Sequence, residues 1–75
     1  MDEGFILSNK FRKAVFRELA VGETSIQRIA KKHRIVPMIA QRVIKEFINS
    51  GIVEQQGTRY VLTTKGQKLK DTIGT

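Results

Sequence analysis

Apolar residues at helical spacing predict a first amphipathic helix near the start of the chain. Ser8 or Asn9 can cap this helix, and it ends near Val21 and Gly22. Its apolar stripe is broad and includes Arg12 at the upstream end. A stripe of this width indicates a second contact in addition to one packing partner within the chain.

A second helix is predicted over residues 26–33, with Ser25 as its N-cap. At roughly 100° per residue, Ile26, Ile29 and His33 fall on one face, and the basic and amide side chains point away from it. We interpret His33 as a half-buried structural residue rather than a ligand or a catalytic base.

The third predicted helix covers residues 37–49, and a proline defines its start. A residue before proline is disfavoured in the helical conformation, so Val36 lies outside the helix, whereas Pro37 fits the first helical position. Gly51 offers the stop. The apolar arc contains Ala40, Val43, Ile44, Phe47 and Ile48, and the opposite arc contains Met38, Gln41, Arg42, Lys45 and Asn49. Only residues 34–36 separate this helix from the second, which is a helix-turn-helix spacing.

After the third helix the pattern changes to alternation, which predicts a β-hairpin over residues 52–63 with its turn at Gly57. Arg59 lies at or near the tip. The predicted inward positions are Ile52, Tyr60 and Leu62. Thr63 or Thr64 can cap a last short helix. The order of helices, hairpin and helix predicts an α+β fold, formed as a single domain over the whole chain, residues 1–75.

Charge and composition narrow the class of partner. The 75 residues include 14 Lys and Arg against 7 Asp and Glu, a net charge of +7, which favours a nucleic acid or an anionic surface. There is no cysteine and only one histidine, so neither a disulfide framework nor a metal site is expected. The acidic start predicts no secretory signal, and no apolar run approaches the ~20 residues of a membrane span. We expect a cytoplasmic protein that does not contact a membrane.

Catalytic chemistry is not predicted. The acidic residues form no convincing carboxylate pair in the sequence, and there is no nucleophile–base constellation or phosphate-cradling glycine loop. We therefore predict that the protein is not an enzyme and that it has no cofactor.

The order of elements and three stretches of sequence resemble the winged helix-turn-helix domains of MarR-like and ArsR-like transcriptional regulators. The helix-turn-helix of the family is resembled by the stretch TSIQRIAKKHRIVPMIAQRVIKEF. The stretch SGIVEQ resembles the family's exit into the wing, and RYVLTTKGQKL resembles its returning strand and following helix. The resemblance covers residues 8–72, with the helix-turn-helix at about 25–49 and the wing at about 52–63. It implies a winged-helix fold, in which a three-helix bundle is followed by a β-hairpin wing and a short C-terminal helix.

The same resemblance implies a regulator that binds double-stranded DNA, with its third helix in the major groove and its wing at phosphate or the minor groove. The DNA-binding residues that it implies are Ser25, Arg28, Met38, Gln41, Arg42, Lys45 and Arg59. Chemistry agrees with these roles, because glutamine can pair with adenine and arginine with guanine through two hydrogen bonds each. Ser25 and Arg28 would contact backbone phosphate, since a helix N-terminus presents free N–H groups to an anion.

Two positions depart from the family pattern. Arg34 occupies the turn position where many relatives have glycine, which predicts either a positive φ at some energetic cost or a different turn. Val36 precedes the proline where relatives often have serine. Since valine cannot cap, the first amides of the third helix need water, phosphate or another partner.

Three interpretations stay open for the apolar run at residues 36–39. The run forms the border of the core, with Pro37 as a rigid helix start; or Met38 or Pro37 contacts thymine methyl groups; or the run binds another protein. The third interpretation leads to an alternative function, a protein-interaction or RNA-binding winged-helix module of a larger assembly.

One winged helix covers one half-site, so specific DNA recognition suggests a homodimer. The candidate dimer surface consists of Phe5, Ile6, Leu7, Leu69 and Ile73. The competing expectation is a monomer whose N-terminal segment folds onto its own core.

Overall fold

The structure is a computed structural model, and it describes residues 2–74. The elements are α1 (Asp2–Leu7), α2 (Lys10–Ala20), α3 (Ile26–His33), α4 (Pro37–Asn49), β1 (Val53–Gln56), β2 (Arg59–Leu62) and α5 (Thr64–Ile73). The strands form an antiparallel hairpin in which Val53 pairs with Leu62 and Gln56 pairs with Arg59. The predicted α+β winged helix is confirmed, with a helix, α1, that the sequence pattern did not indicate.

The helix-turn-helix has the predicted bounds. Ser25 caps α3, and its Oγ accepts a hydrogen bond from the Arg28 amide at 3.3 Å. Arg34 ends α3 with φ of 53°, so the expected positive φ is confirmed. Val36 precedes α4 without a side-chain capping bond, and Pro37 occupies the first turn. The turn between the helices is therefore tight because Arg34 accepts a backbone conformation that glycine would adopt at lower energy.

The core lies between the five helices and the base of the hairpin. Its largest fully buried side chains are Phe16, Phe47, Ile6, Ile29, Ile44, Ile52, Val15 and Val53. Phe47 is central, because its ring packs edge-on against Phe16 at a centroid distance of 6.3 Å and against Phe5 at 6.2 Å. Edge-to-face pairs of this kind add to the stabilisation that the buried apolar area provides.

Helix α1 depends on contacts with the rest of the chain. Its six residues include Gly4, so its intrinsic helical stability is low. Ile6 is fully buried, and the Arg12 guanidinium lies 4.1 Å from the centroid of the Phe5 ring. Arg12 also binds both carboxylate oxygens of Glu46 at 3.1 Å. The second contact expected for the stripe of the first predicted helix is thus within the chain.

The residues of the candidate dimer surface have different environments. Ile6 and Leu69 are buried in the chain's own core, and Phe5 and Ile73 pack against that core while partly exposed. Leu7 has 46% of its surface exposed. The N-terminal segment therefore folds onto the core of its own chain, which was the competing expectation.

The base of the hairpin is packed closely against α5. Alternation counted from Ile52 predicts an exposed Val53, but Val53 is buried. Because Ile52 lies before the start of β1, strand alternation does not apply between the two residues, and both side chains reach the core. Thr63 caps α5 by accepting a hydrogen bond from the Gly66 amide at 3.2 Å. A Cβ atom at Gly66 would lie 2.3 Å from the Ile52 carbonyl oxygen. Only glycine fits this contact without displacing the backbone.

Candidate nucleic-acid interface

The outward face of α4 carries four side chains of the predicted site. Met38, Gln41, Arg42 and Lys45 line one shallow concavity, and all four are exposed. Their spacing of three and four residues places them on one side of the helix. No carboxylate lines this concavity. The face therefore has two positive charges, one amide that can both donate and accept hydrogen bonds, and one flexible apolar side chain.

The start of α4 leaves a backbone donor available. Pro37 has no N–H, and the amides of Ile39 and Ala40 both donate to the Val36 carbonyl, at 2.9 and 3.0 Å. For the Met38 amide, no acceptor is found within residues 2–74. This donor belongs to the first turn of α4, at the residue whose exposed side chain begins the outward face.

Ser25 and Arg28 lie at the start of α3, together with a carboxylate that sequence reasoning did not consider. Glu23 accepts hydrogen bonds from the Thr24 and Ser25 amides, both at 2.9 Å. The hydrogen bond from the Ser25 amide is the largest cause of a lowered pKa at Glu23. The bond from the Thr24 amide and the positive charge of Arg28 lower this pKa further. The signal was present in the sequence, because an acidic residue just before a helix N-terminus is a common way to satisfy free amides.

The Ser25 hydroxyl retains one hydrogen-bonding capacity. Its oxygen accepts from the Arg28 amide, which leaves its proton free to donate to an anion. The adjacent Glu23 carboxylate opposes an anion at this point, however, so this end of α3 is a weaker anion site than the sequence suggested.

Arg59 begins β2 and pairs with Gln56 across the turn at Gly57 and Thr58. The turn is tight, with Gly57 at φ of 65°. The Tyr60 amide donates to the Thr24 carbonyl at 3.0 Å, which joins β2 to the segment just before α3. The exposed Arg59 is therefore the chain neighbour of a residue that bonds the segment just before Ser25. It does not line the concavity formed by the four residues of α4.

The structure also bears on three other features considered in the sequence: the single histidine, a metal site and a membrane span. His33 has a structural contact, because its Nε2 lies 2.7 Å from Glu18 Oε2 and a third of its side chain is exposed. Within residues 2–74, no group of His, Cys, Asp or Glu side chains is arranged to hold a metal ion. In the same part of the chain, no helix has the length and apolar character needed to cross a membrane.

Comparison with solved structures finds a similar fold. The chain is similar to the crystal structure of a MarR family protein from Mycobacterium tuberculosis, with a TM-score of 0.79 and 17% sequence identity. The match covers 97% of this chain and 57% of that chain, so this chain spans little more than half of that protein's length. No protein-family model matches the sequence, and no curated protein matches it significantly. The chain has the winged helix-turn-helix fold of this MarR family protein.

Proposed function

We propose that the protein is a non-enzymatic transcriptional regulator that binds double-stranded DNA. The observation that carries the proposal is the exposed face of α4, where Arg42 and Lys45 stand beside Gln41 and Met38 without a carboxylate among them. On a winged-helix fold with a net charge of +7, this face has the charge and shape for the major groove.

Each side chain of this face has a distinct proposed role. Arg42 and Gln41 read base edges, since each can form two hydrogen bonds with a purine. Met38 contacts thymine methyl groups, because its thioether chain is apolar and adapts to irregular surfaces. Lys45 binds phosphate, and the free Met38 amide adds a donor to the same strand.

The wing and the start of α3 supply further backbone contacts in this proposal. Arg59 is exposed at the tip and binds phosphate or enters the minor groove. Ser25 donates its free hydroxyl proton to a phosphate, and Arg28 adds charge. Because Glu23 offsets part of that charge, we expect Arg28 to contribute less than Arg42 or Arg59.

Since one winged helix covers one half-site, we propose that two copies act together on an operator with two half-sites. Analytical ultracentrifugation of the protein with DNA of one and two half-sites tests this. A complex of one copy per two-half-site operator, at saturating protein, contradicts it.

The first experiment is selection from random DNA duplexes, followed by titration of the enriched site over a salt series. We expect one motif to bind at least ~10³-fold more tightly than random duplex. If about five phosphates are neutralised, log affinity falls against log salt with a slope of about −4 to −5. Absence of any enriched motif, with only salt-dependent generic affinity, contradicts a sequence-specific regulator.

Two variants assign the interface to these surfaces. Arg42→Ala and Arg59→Ala should each lower affinity for the selected site by roughly tenfold, a loss typical of one good base or phosphate contact. Neither forms an ion pair within residues 2–74, so the thermal midpoint should stay nearly unchanged. Lys68→Ala on α5 removes the same charge away from both surfaces and is the matched control. Equal losses in all three variants would mean that binding follows net charge alone.

A further inference from the structure

A second groove lies between α3 and α4. Its volume is about 320 Å³, and its floor includes Ala30, Ile35 and Ala40, with Pro37 at one side. The hollow exists because the two helices meet here through alanines, whose methyl groups leave space that a larger side chain would fill. Val36, next to this groove in the chain, has 57% of its surface exposed. Val36 thus adds an exposed apolar side chain between Ile35 and Pro37, two residues that line the groove.

The charged side chains at the rim of this groove are both basic. Lys31 and Arg34 line it, and no Asp or Glu does. Neither forms an ion pair within the described part of the chain. An occupant that matches these features has a large apolar side chain for the floor and negative charge for the rim.

A DNA backbone meets only one of these two requirements. Duplex DNA carries one negative charge per ~1.7 Å of helix axis, so phosphates could approach Lys31 and Arg34. Its sugar-phosphate surface offers nothing that fills an apolar hollow of this size, and the floor would remain in contact with water. A peptide can meet both requirements, since an aliphatic or aromatic side chain and a carboxylate can lie within one turn of the same segment.

We propose that the groove between α3 and α4 binds a short segment of another protein, which inserts one or two large apolar side chains and places Asp or Glu residues against Lys31 and Arg34. Gln41 lines this groove and is also one of the four residues on the outward face of α4. The bound segment therefore lies beside the DNA-reading face and competes with DNA for it. If α4 reads DNA as proposed above, the segment and the DNA cannot both contact Gln41, so this partner lowers the affinity of the protein for its operator.

The test begins with a phage-displayed library of short random peptides, selected on the full chain without DNA. The expected sequences combine large apolar residues with Asp or Glu, and a synthetic peptide of the enriched sequence should bind in a fluorescence-anisotropy titration. A poly-aspartate peptide of equal charge should bind far more weakly. Failure to enrich such sequences, or equal binding of poly-aspartate, would overturn the proposal, because the groove would then contribute only charge.

Variants locate the binding site. Lys31→Glu reverses a rim charge and should weaken the selected peptide by about tenfold or more, whereas Lys68→Glu, an equal charge change on α5, should alter its affinity less than about twofold. Equal weakening in both variants overturns the assignment. Arg34→Gly gives a second variant that removes a rim charge and also relieves the positive φ, so it keeps the fold and should weaken peptide binding several-fold.

The methyl group of Ala30 and the Cδ1 methyl group of Ile35 report occupancy of the floor by NMR, because both side chains are buried, line the groove and belong to neither DNA-contact surface proposed above. Addition of the selected peptide should shift both resonances, and addition of a random DNA duplex should leave them nearly unchanged. If the duplex shifts them as strongly as the peptide does, the groove is a DNA contact and the proposal is wrong. Because the peptide is measured without DNA, the outcome is independent of whether the α4 face reads a DNA sequence.

Discussion

Gly66 gives the sharpest test of how the wing is attached to the helices. It is the third residue of α5, and an added Cβ would lie 2.3 Å from the Ile52 carbonyl oxygen and 3.0 Å from the Leu62 Cβ. Contacts between such atoms are comfortable only at about 3.5 Å. Gly66→Ala must therefore move α5 away from the hairpin base by roughly 1 Å.

Two opposing effects decide the stability of Gly66→Ala. Alanine favours a helix over glycine by up to about 1 kcal/mol. Against this, overpacking of a closely packed contact costs about 1–3 kcal/mol. Displacement of the Ile52 carbonyl also weakens its hydrogen bond from the Thr63 amide, at 2.9 Å, which is worth about 1 kcal/mol. The Thr63 hydroxyl lies 3.1 Å from the same carbonyl but shares its one proton with the Gly51 carbonyl, so it adds little. We expect a net loss of roughly 1–3 kcal/mol in the free energy of unfolding.

Urea unfolding followed by circular dichroism measures this change. With an m-value of about 1 kcal/mol/M for a domain of this size, the urea midpoint should fall by about 1–3 M, and the thermal midpoint should fall by about 4–8 °C for each kcal/mol. Gly4→Ala is the matched control, because it also lies in a helix and a Cβ there meets no atom within 4 Å. The control should be neutral or more stable. If Gly66→Ala is as stable as Gly4→Ala, the close approach of α5 to the hairpin is wrong.

Three further predictions concern other contacts. Arg34→Gly should raise the free energy of unfolding by about 1 kcal/mol in a thermal melt, because it removes a left-handed conformation from a residue with a Cβ; a lower midpoint contradicts this. Arg12→Lys should lose about 1 kcal/mol, since lysine cannot bind both oxygens of Glu46, and a double-mutant cycle with Glu46→Gln should show coupling between the two sites. The hydrogen bond from Arg12 lowers the pKa of Glu46. The pKa of Glu18 is lowered most by its hydrogen bond with His33 and next by its hydrogen bond with Lys32. These folded-state pKa values lie below the ordinary 4.5, so the stability is present above pH 4.5 and is lost as pH falls through the lower values. Urea unfolding between pH 6 and 3 should therefore show that the free energy of unfolding falls less on acidification in Glu46→Gln than in the unmodified protein. The same fall in both would contradict the contribution of Glu46 to acid sensitivity.

The helix-turn-helix could be predicted from sequence because local chemistry defines its ends. Ser25 caps α3 and Pro37 opens α4, and each acts within one turn of its own position. The positive φ of Arg34 is one of the two outcomes that the sequence predicts for this turn, since glycine is common at this position in the family that the sequence resembles. Such features need no knowledge of distant residues.

Helix α1 and the contacts of Arg12 could not be predicted in the same way. Glu46 lies 34 residues along the chain from Arg12, and only the packing of α2 against α4 brings them together. Helix α1 forms because Ile6 is buried and Phe5 packs on Phe47, not because six residues with a central glycine favour a helix. The groove beside Lys31 likewise arises from two helix faces meeting through small residues, which neither helix indicates alone.

The apolar run at the start of α4 shows why one stretch of sequence supported three interpretations. Successive residues of a helix point in directions roughly 100° apart, so neighbours along the chain face different surroundings. Ile39 packs against the core, Met38 is 74% exposed on the basic face, and Pro37 lines the groove below Lys31. The core-border interpretation is confirmed for Ile39, and the other two stay predictions, which can hold for Met38 and Pro37 without excluding it or each other. A missing cap at Val36 fits this arrangement, since a polar side chain there would occupy the Met38 amide that we propose for phosphate and would interrupt the apolar surface that we propose for a protein partner.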